Sequence, residues 1–329
     1  MLAAVGAILA SVAFASPPAA ADLGVSEFSA PMLDEQGLEV TQAGARPFEV
    51  RNVIGIDPDP LLPFSVSASL KDVVVDMPVG FVGDPSEFPA CTVGSLTSAT
   101  CPNAAQIGVF LLTTPFQTFA PEPVYNMEVP QGQPARFGVR VVGGSANVFF
   151  DASVRPSDNG ITVTSSNIAH IELAMVLGTE LRLWGVPGDP AHDALRAGPA
   201  GTDPIPFLTT QTNCDTVPVT RMRARSWQDP DTWIEREHVS PPLVGCELLE
   251  FEPSVRVEPQ VAQAGSPSGY TVEVSQKVED SPDALATAHL KDAVVKLPAG
   301  VTVNPAAAGG LTGCTEAEMG MGKAGAPAC

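Results

Sequence analysis

The stretch LKDVVVDMPVG at residues 70–80 returns as LKDAVVKLPAG at residues 290–300, an offset of 220 residues. The flanking sequence repeats at nearly the same spacing. Gln42-Ala43-Gly44 returns as Gln263-Ala264-Gly265, and Cys91-Thr92 returns as Cys314-Thr315. A near-constant offset indicates an internal repeat, which has to be recognised before any fold is assigned. The chain is therefore predicted to contain two copies of one structural unit, which we call the first copy and the second copy.

Both copies show the same slip in their apolar pattern. Apolar side chains alternate up to the leucine before the Lys-Asp pair and continue in the opposite phase after that pair. The residues are Phe64, Val66, Ala68 and Leu70, then Val73, Val75 and Met77, in the first copy, and Ala284, Ala286, Ala288 and Leu290, then Ala293, Val295 and Leu297, in the second. Alternation is the period of a half-buried strand, and one extra residue moves every later side chain to the opposite face. We therefore predict a β-bulge, or a change of sheet, at Lys71-Asp72 and at Lys291-Asp292, which makes the pair a structural marker.

The segment between the copies is also predicted to be β-structure. Apolar residues alternate over 137–141 and over 148–154, and a third alternating run begins at Ile161. The turn-forming residues 156–160 separate the last two runs, which is the pattern of a β-hairpin. Further strands are expected within 168–186 and 217–227. The Gly-, Pro- and Asp-rich residues 187–206 are expected to form a long loop.

Composition supports an all-β fold. The 329 residues include 33 Pro and 29 Gly, and proline interrupts helices because it lacks a backbone donor and clashes with the preceding turn. The predicted fold class is all-β, with tandem antiparallel β-sandwich domains that are immunoglobulin-like and have long Pro/Gly-rich loops. The predicted organisation is a signal peptide at 1–21, a first β-sandwich domain at 22–112, a second β domain at 113–250, and a truncated repeat of the first domain at 251–329.

The N-terminus indicates export. Residues 1–21 carry no charge, residues 1–15 are almost entirely apolar, and Ala19-Ala20-Ala21-Asp22 has the small-x-small form of a signal-peptidase site. The apolar run is short for a membrane-spanning helix, although a retained N-terminal anchor is the alternative. The expected location is therefore secreted or extracellular, in association with the cell surface.

Six cysteines fit an oxidising compartment. They fall into three sequential couples, and we predict the disulfides Cys91–Cys101, Cys214–Cys246 and Cys314–Cys329, although spacing alone leaves other pairings open. Each bond would stabilise the fold by about 2.5–4 kcal/mol through the loop it closes. A zinc site is the competing interpretation, but the sequence has no Cys-x2-Cys spacing and no histidine near a cysteine at ligand spacing.

The acidic balance restricts the class of partner. The formal net charge is −20, from 37 acidic and 17 basic residues. Phosphate binding needs clustered Lys and Arg, so neither nucleic acid nor, after removal of the signal segment, a membrane is an expected partner. Solubility outside the cell is the simpler explanation of the excess acid, with a divalent-cation role as the alternative.

One candidate site lies in the predicted long loop. Asp189, His192 and Asp193 bring two carboxylates and an imidazole within five residues, which is a set that could hold a metal ion. The competing interpretation is an ordinary solvated loop in which an aspartate caps a turn.

Two more candidate sites lie near the end of the second domain. Trp227 and Trp233 could stack on sugar rings, although buried tryptophan is commoner in a β-sandwich, and Trp184 is expected in the core. Three arginines at alternate positions of one strand, Arg221, Arg223 and Arg225, could clamp an anionic ligand such as a carboxylated glycan. Cross-strand pairing with acidic residues is the simpler interpretation, and the candidates are Asp229, Asp231, Glu235 and Glu237.

With these motifs identified, the chain resembles large exported β-repeat proteins of unknown function from high-GC Gram-positive bacteria. The matching elements cover most of the mature chain. They are the LKD strand at 70–80, the loop from Cys91-Thr92 to Cys101-Pro102, residues 123–127 leading to 134–138, residues 183–187 with 189–193, and Ser226-Trp227-Gln228-Asp229-Pro230. The resemblance implies no catalytic residues, because the family has no assigned activity, and it implies that full-length relatives contain more repeats.

Catalytic and cofactor motifs are missing from the sequence. It contains four histidines, no G-x-S-x-G elbow, no phosphate loop and no dinucleotide fingerprint, so no enzyme activity and no cofactor are expected. The predicted function is that of a secreted or cell-surface structural or adhesive repeat protein. The alternative is a secreted glycan-binding module using Trp227 and Trp233, with a cell-wall or extracellular glycan or a surface protein as partner. A secreted hydrolase with scattered carboxylates ranks third.

Overall fold

The computed structural model describes residues 23–62, 64–169, 176–199, 201, 203–302, 315 and 318. The predicted signal peptide at 1–21 and the predicted Cys314–Cys329 disulfide lie outside the described residues.

The described residues form sixteen strands and one short α-helix. The strands are β1 (Val25–Ser29), β2 (Met32–Leu33), β3 (Glu49–Ile56), β4 (Leu70–Asp76), β5 (Val82–Gly83), β6 (Gln106–Thr113), β7 (Glu122–Asn126), β8 (Ala135–Val141), β9 (Ala146–Val154), β10 (Ile161–Ser165), β11 (Gly178–Trp184), β12 (Leu208–Thr209), β13 (Val219–Ser226), β14 (Ile234–Val239), β15 (Ser254–Pro259) and β16 (Tyr270–Ser275). The helix α1 (Val93–Thr97) begins where the Thr92 side chain accepts a hydrogen bond from the Ser95 amide. The all-β prediction is confirmed.

Twelve strands form one antiparallel sheet in the order β1-β3-β11-β6-β7-β8-β9-β10-β4-β13-β14, with β2 paired to β3. The two edge strands, β1 and β14, lie against each other, and Arg236 Nη2 of β14 donates to the Val25 carbonyl of β1 at 3.0 Å. The sheet therefore nearly closes on itself and is barrel-like. Two short sheets, β5–β12 and β15–β16, stand apart from it.

Strands of the two predicted domains alternate in this single sheet. Strand β11 lies between β3 and β6, and β4 lies between β10 and β13. The predicted boundary at 112/113 falls inside β6, whose partner β7 belongs to the second segment. The sheet therefore does not separate residues 22–112 from 113–250, and a tandem immunoglobulin-like arrangement is not confirmed. The physical reason is that long-range strand pairing decides the sheet order, and local alternation carries no information about it.

The predicted bulge of the first copy is confirmed. Along the β4–β13 ladder, Arg225 pairs with Asp72 and Ser226 pairs with Leu70, so Lys71 is the extra residue. The strand begins at Leu70, because residues 64–69 form turns and an isolated bridge in place of the predicted strand. The predicted hairpin is also present as β9–β10, and its turn contains Asn159 at a φ of 58°.

The second copy has a different structure. Strands β15 and β16 form a two-stranded sheet, and the described residues after it, 276–302, contain no strand. The bulge predicted at Lys291-Asp292 is therefore wrong, because no sheet forms there. A backbone hydrogen bond of 2.7 Å from the Ala286 amide to the Gly44 carbonyl joins this segment to the loop before β3.

Candidate functional site

The interior of the barrel-like sheet has an almost entirely apolar surface. Successive side chains of a strand point to opposite faces, so every second residue of each strand faces inward. On β3, β4, β9, β10 and β11 these inward residues are Val50, Asn52, Ile54 and Ile56, then Val73 and Val75, then Ala146, Val148, Phe150 and Ala152, then Ile161, Val163 and Ser165, and finally Thr179, Leu181 and Leu183.

These side chains leave a cavity of about 240 Å³ between them. Among the described residues that line it, none is charged, and the polar side chains are those of Asn52, Ser69, Ser165 and Thr179. An engineered apolar cavity of about 150 Å³ is large enough to bind benzene. The cavity can therefore hold a larger apolar molecule, in the place where small β-barrels hold single ligands.

One end of the interior is closed by aromatic side chains. At the end of the sheet formed by Glu49, Asp76 and Trp184, which we call the lower end, the Phe207 ring packs edge-on against Phe88 and Phe137 with centroids 5.6 and 5.7 Å apart. The loop that contains Phe88 continues into the Cys91–Cys101 disulfide and α1. The lower end is therefore covered by ordered and covalently linked structure.

The opposite, upper end has exposed apolar side chains. The loops 57–69 and 114–121 leave the sheet there, because β3 ends at Ile56, β6 ends at Thr113, and both strands flank the start of β11. These loops present Leu61, Leu62, Phe64 and Phe116, which we call the apolar rim. Leu61 is 87% exposed, Phe116 is 71% exposed, and the Phe64 and Phe116 rings stack with centroids 5.9 Å apart. Val66 and Ala68 of the first loop line the cavity, so the rim is continuous with the cavity wall.

Two polar atoms in the cavity wall have no hydrogen-bond partner among the described residues. They are Asn52 Oδ1 on β3 and Ser165 Oγ on β10, and Ser165 is only 6% exposed. Both residues belong to the inward-facing series of their strands. A buried polar atom without a partner is costly, so these two atoms mark positions where a bound molecule or water would be stabilised.

The two candidate tryptophans lie in the β13–β14 loop at the upper end. Each is 38% exposed. The Trp227 indole Nε1 donates to the Ile168 carbonyl at 2.9 Å, Lys71 Nζ lies 5.2 Å from the Trp227 ring centre, and the Arg225 guanidinium lies 4.6 Å from that of Trp233. Both indoles are therefore exposed to solvent in part, and a cation lies over one face of each.

The three candidate arginines are paired with carboxylates. Their strand presents Met222 and Ala224 to the interior and the arginines to the outer face. The pairs are Arg221–Glu237 at 2.7 Å, Arg223–Asp76 at 3.4 Å and Arg225–Asp72 at 2.6 Å. Glu237 is one of the predicted cross-strand partners, whereas Asp72 and Asp76 belong to β4 on the other side. The positive charges are thus matched within the sheet.

Asp72 is the centre of a buried polar cluster, and this explains the Lys-Asp motif. Its carboxylate is 3% exposed, bonds Lys71 Nζ at 2.9 Å and Arg225 Nε at 2.6 Å, and accepts a hydrogen bond from the Asn167 amide at 2.7 Å. Burial opposes ionisation of Asp72, but the hydrogen bonds from Asn167, Lys71 and Arg225 outweigh it and hold its pKa below the usual value. The motif therefore anchors the bulge of β4.

The candidate metal ligands lie in a folded part of the long loop. Residues Pro190–Leu195 form a 3-10 helix, and Asp189 caps it by accepting a hydrogen bond from the Ala191 amide at 2.9 Å, which matches the capping interpretation. Asp193 bonds Arg196 Nε at 2.8 Å. Within the described part of the chain, no three His, Cys, Asp or Glu side chains are grouped so that they could hold a metal ion.

His192 is part of an aromatic stack. It is 1% exposed, and its ring lies between Phe48 and Trp184, with centroid distances of 4.2 and 4.6 Å. The Arg196 guanidinium covers the Trp184 ring at 5.1 Å. Burial lowers the pKa of His192 from 6.5 to about 4, with the Asp189 and Asp193 charges opposing the shift and the Arg196 charge adding to it. The imidazole is therefore neutral at physiological pH and packs as an aromatic residue, and Trp184 is buried as expected.

Two of the three predicted disulfides are present, Cys91–Cys101 and Cys214–Cys246. They fit an oxidising, extracellular environment. None of the helices in the described part of the chain is long and apolar enough to cross a membrane.

The cavity is the feature that sequence reasoning missed. The alternating runs identified its wall residues on β8, β9 and β10, but alternation alone does not show that β3 and β11 complete the wall. Polar residues, Asn52 on β3, Ser165 on β10 and Thr179 on β11, interrupt otherwise apolar inward series. That break was the available signal. No protein-family model, curated protein or solved structure matches the chain.

Proposed function

We propose that this protein is exported and binds one small apolar molecule inside its barrel-like sheet. The observation that carries the proposal is the cavity of about 240 Å³, whose described wall carries no charge and continues at the upper end into the apolar rim. Apolar walls with a few placed polar groups are typical of small-molecule sites. The proposal includes no catalytic step.

Energetics support an occupied cavity. Empty apolar volume in a packed core costs about 24 cal/mol per Å³, because the atoms that line it lose packing contacts. Net stabilities of domains are only about 5–15 kcal/mol. A ligand that fills the space restores the missing contacts, and this is a physical reason for the sequence to retain the cavity.

Export and a cell-surface location are supported by three observations. The N-terminus has the form of a signal peptide, the described residues contain two disulfides, and the motifs resemble exported β-repeat proteins. The acidic net charge of −20 suits a soluble extracellular protein.

A structural or adhesive role for the second copy is a further proposal. The β15–β16 sheet exposes Val255, Val257, Val272 and Val274 on one face, which we call the valine face. A two-stranded sheet is marginal in water unless its apolar face is covered. The valine face could therefore be covered by a surface protein. It could equally be covered by a further repeat, of the tandem immunoglobulin-like type that the sequence predicts. A glycan partner at Trp227 and Trp233 is less well supported, since a cation covers one face of each ring.

The cavity proposal can be tested by titrating the purified, oxidised protein with the uncharged dye phenylnaphthylamine, whose fluorescence rises in apolar surroundings. We expect saturable binding at one site. Val163→Trp fills the cavity from β10 and should weaken binding at least tenfold. Thr164→Trp, one residue along the same strand and on the outer face, is the matched control and should leave binding unchanged.

If thermal unfolding shows that Val163→Trp does not fold, Leu181→Phe on β11 takes its place, because this substitution adds less volume to the cavity. Unsaturable dye binding, or equal weakening by the inward and outward tryptophans, would show that the dye does not occupy the interior. Either result would reject the proposed function.

A further inference from the structure

The two unpartnered polar atoms in the cavity wall point to the chemical class of the ligand. Strands β3 and β10 lie six places apart in the sheet order, so Asn52 and Ser165 belong to different walls of the interior. Their Oδ1 and Oγ atoms are buried and have no hydrogen-bond partner among the described residues, and both residues line the cavity. The cavity therefore offers two buried polar atoms that are free to bond a ligand, an amide oxygen and a hydroxyl, in a wall whose other described polar side chains are Ser69 and Thr179.

We infer that the ligand is an uncharged, largely apolar molecule that carries a hydroxyl or carbonyl group bonded by Asn52 or Ser165. This inference rests on the proposed function. A ligand hydroxyl donates to Asn52 Oδ1 or exchanges a hydrogen bond with Ser165 Oγ, whereas a carbonyl accepts from Ser165 Oγ. A pure hydrocarbon leaves both buried atoms unpaired, and sites that contain such atoms discriminate against it.

The described part of the wall offers no counter-charge to a charged ligand. The described residues that line the cavity include no Lys, Arg, His, Asp or Glu. A carboxylate or ammonium group would be removed from water without a counter-charge, and that is far more costly than burying a hydroxyl that is hydrogen-bonded. Fatty acids in their ionised form and amines are therefore outside the class, while alcohols, phenols and ketones with an apolar body are inside it.

The test uses three ligands of similar shape: methylnaphthalene, naphthol and the naphthoate anion. Each displaces phenylnaphthylamine from the wild-type protein and from the variants Ser165→Ala and Asn52→Leu. Ser153→Ala removes an exposed, outward-facing serine on β9 and is the matched control. The quantity compared is the affinity for naphthol divided by the affinity for methylnaphthalene, because this ratio cancels changes in cavity packing.

We expect that ratio to fall about tenfold in at least one of the two cavity variants, since one hydroxyl reaches one wall and one buried hydrogen bond is worth about that factor. The ratio should not change in Ser153→Ala, and naphthoate should bind at least tenfold more weakly than naphthol to the wild-type protein. A ratio unchanged in both cavity variants, or naphthoate binding as tight as naphthol, overturns the inferred ligand class. Binding of methylnaphthalene in that case still supports an apolar site, whereas failure of all three ligands to bind rejects the proposed function itself.

Discussion

The two copies of the repeated LKD stretch have nearly the same sequence and opposite environments. In the first copy the stretch forms β4, which pairs with β10 on one side and β13 on the other, and Val73 is 8% exposed. In the second copy the stretch forms no strand, and Ala293, the counterpart of Val73, is exposed. Both neighbours of β4 come from residues 161–226, between the copies. The difference shows that an alternating sequence is compatible with a strand but does not ensure one. The strand forms where neighbouring strands provide hydrogen-bond partners for its backbone groups.

The strands upstream of the stretch show the same relation. At the offset of 221 residues set by the Gln-Ala-Gly match, β3 corresponds to β16. Strand β3 pairs with β1 and β2 on one side and with β11 on the other, whereas β16 pairs with β15 alone among the described strands. In each copy this strand pairs with an earlier strand of the same copy, and the described part of the second copy lacks the pairing supplied by the segment between the copies.

The largest effect is expected from placing a charge at matched positions of the two copies. Val75 faces the cavity and pairs with Val163 and Met222, so Val75→Asp buries a carboxylate without a counter-charge and should cost at least about 4 kcal/mol. Its counterpart Val295 is exposed, and Val295→Asp should change stability by less than about 0.5 kcal/mol. Urea unfolding of both variants measures the difference. Comparable losses would mean that the second copy is also packed in a core, and the comparison would then be wrong.

The next effect concerns the Lys-Asp motif itself. Asp72→Ala removes the carboxylate shared by Lys71, Arg225 and the Asn167 amide and should destabilise the protein by about 3 kcal/mol, because two partly buried cations lose their partner. The matched substitution Asp292→Ala lies on an exposed segment and should have little effect. The expected loss is fully present above the ordinary aspartate pKa and becomes smaller as the pH falls below it. The charge-dependent part is gone once the pH has fallen through the depressed pKa of Asp72 in the folded protein. A loss that persists unchanged at pH 3 would contradict the electrostatic account.

Local features of the fold could be predicted from the sequence, and its closure could not. The β9–β10 hairpin and the two short-range disulfides join residues close in sequence, and the bulge at Lys71 is visible as a local slip in the apolar pattern. All of these features are present. The pairing of β3 with β11 and of β4 with β13 joins residues more than a hundred positions apart, and nothing in an alternating pattern selects such a partner. The cavity exists only because those pairs form, so it could not be predicted from the individual strands.

The long loop shows a second reason for the limits of sequence interpretation. Its Gly, Pro and Asp content favours a solvated loop, yet His192 is buried between Phe48 and Trp184. Composition describes the average residue of a segment. The burial of His192 depends instead on two particular aromatic residues: Phe48, which is distant in sequence, and Trp184, which precedes the loop. The residue that corresponds to Phe48 in the second copy is Gly269, so the second copy lacks a ring for the same contact.

The His192 stack gives a pH-dependent test of this part of the comparison. Because the folded pKa of about 4 lies below the unfolded value of 6.5, the unfolded state binds a proton first as the pH falls, and stability decreases from about pH 6.5 towards pH 4. The contribution at pH 4.5 should be about 2 kcal/mol, at 1.36 kcal/mol per pKa unit. His192→Phe keeps the ring and removes the titration, so the variant should be less sensitive to pH than the wild type in this window, as measured by urea midpoints. Identical pH profiles would show that His192 is not buried in its neutral form.

The smallest effect is expected where the two copies differ only in the number of strand partners. Val53 on β3 has a partner strand on each side and is partly buried, so Val53→Thr should cost about 1 kcal/mol. Val274 on β16 has one partner strand and belongs to the exposed valine face, so Val274→Thr should cost less than about 0.5 kcal/mol. Thermal unfolding resolves this difference when both variants are measured beside the wild type at several protein concentrations. The stability cost of Val274→Thr could instead grow with protein concentration and reach that of Val53→Thr. The valine face would then be covered by a second molecule. Association would replace the strand pairing that the second copy lacks within the chain, as an adhesive role requires.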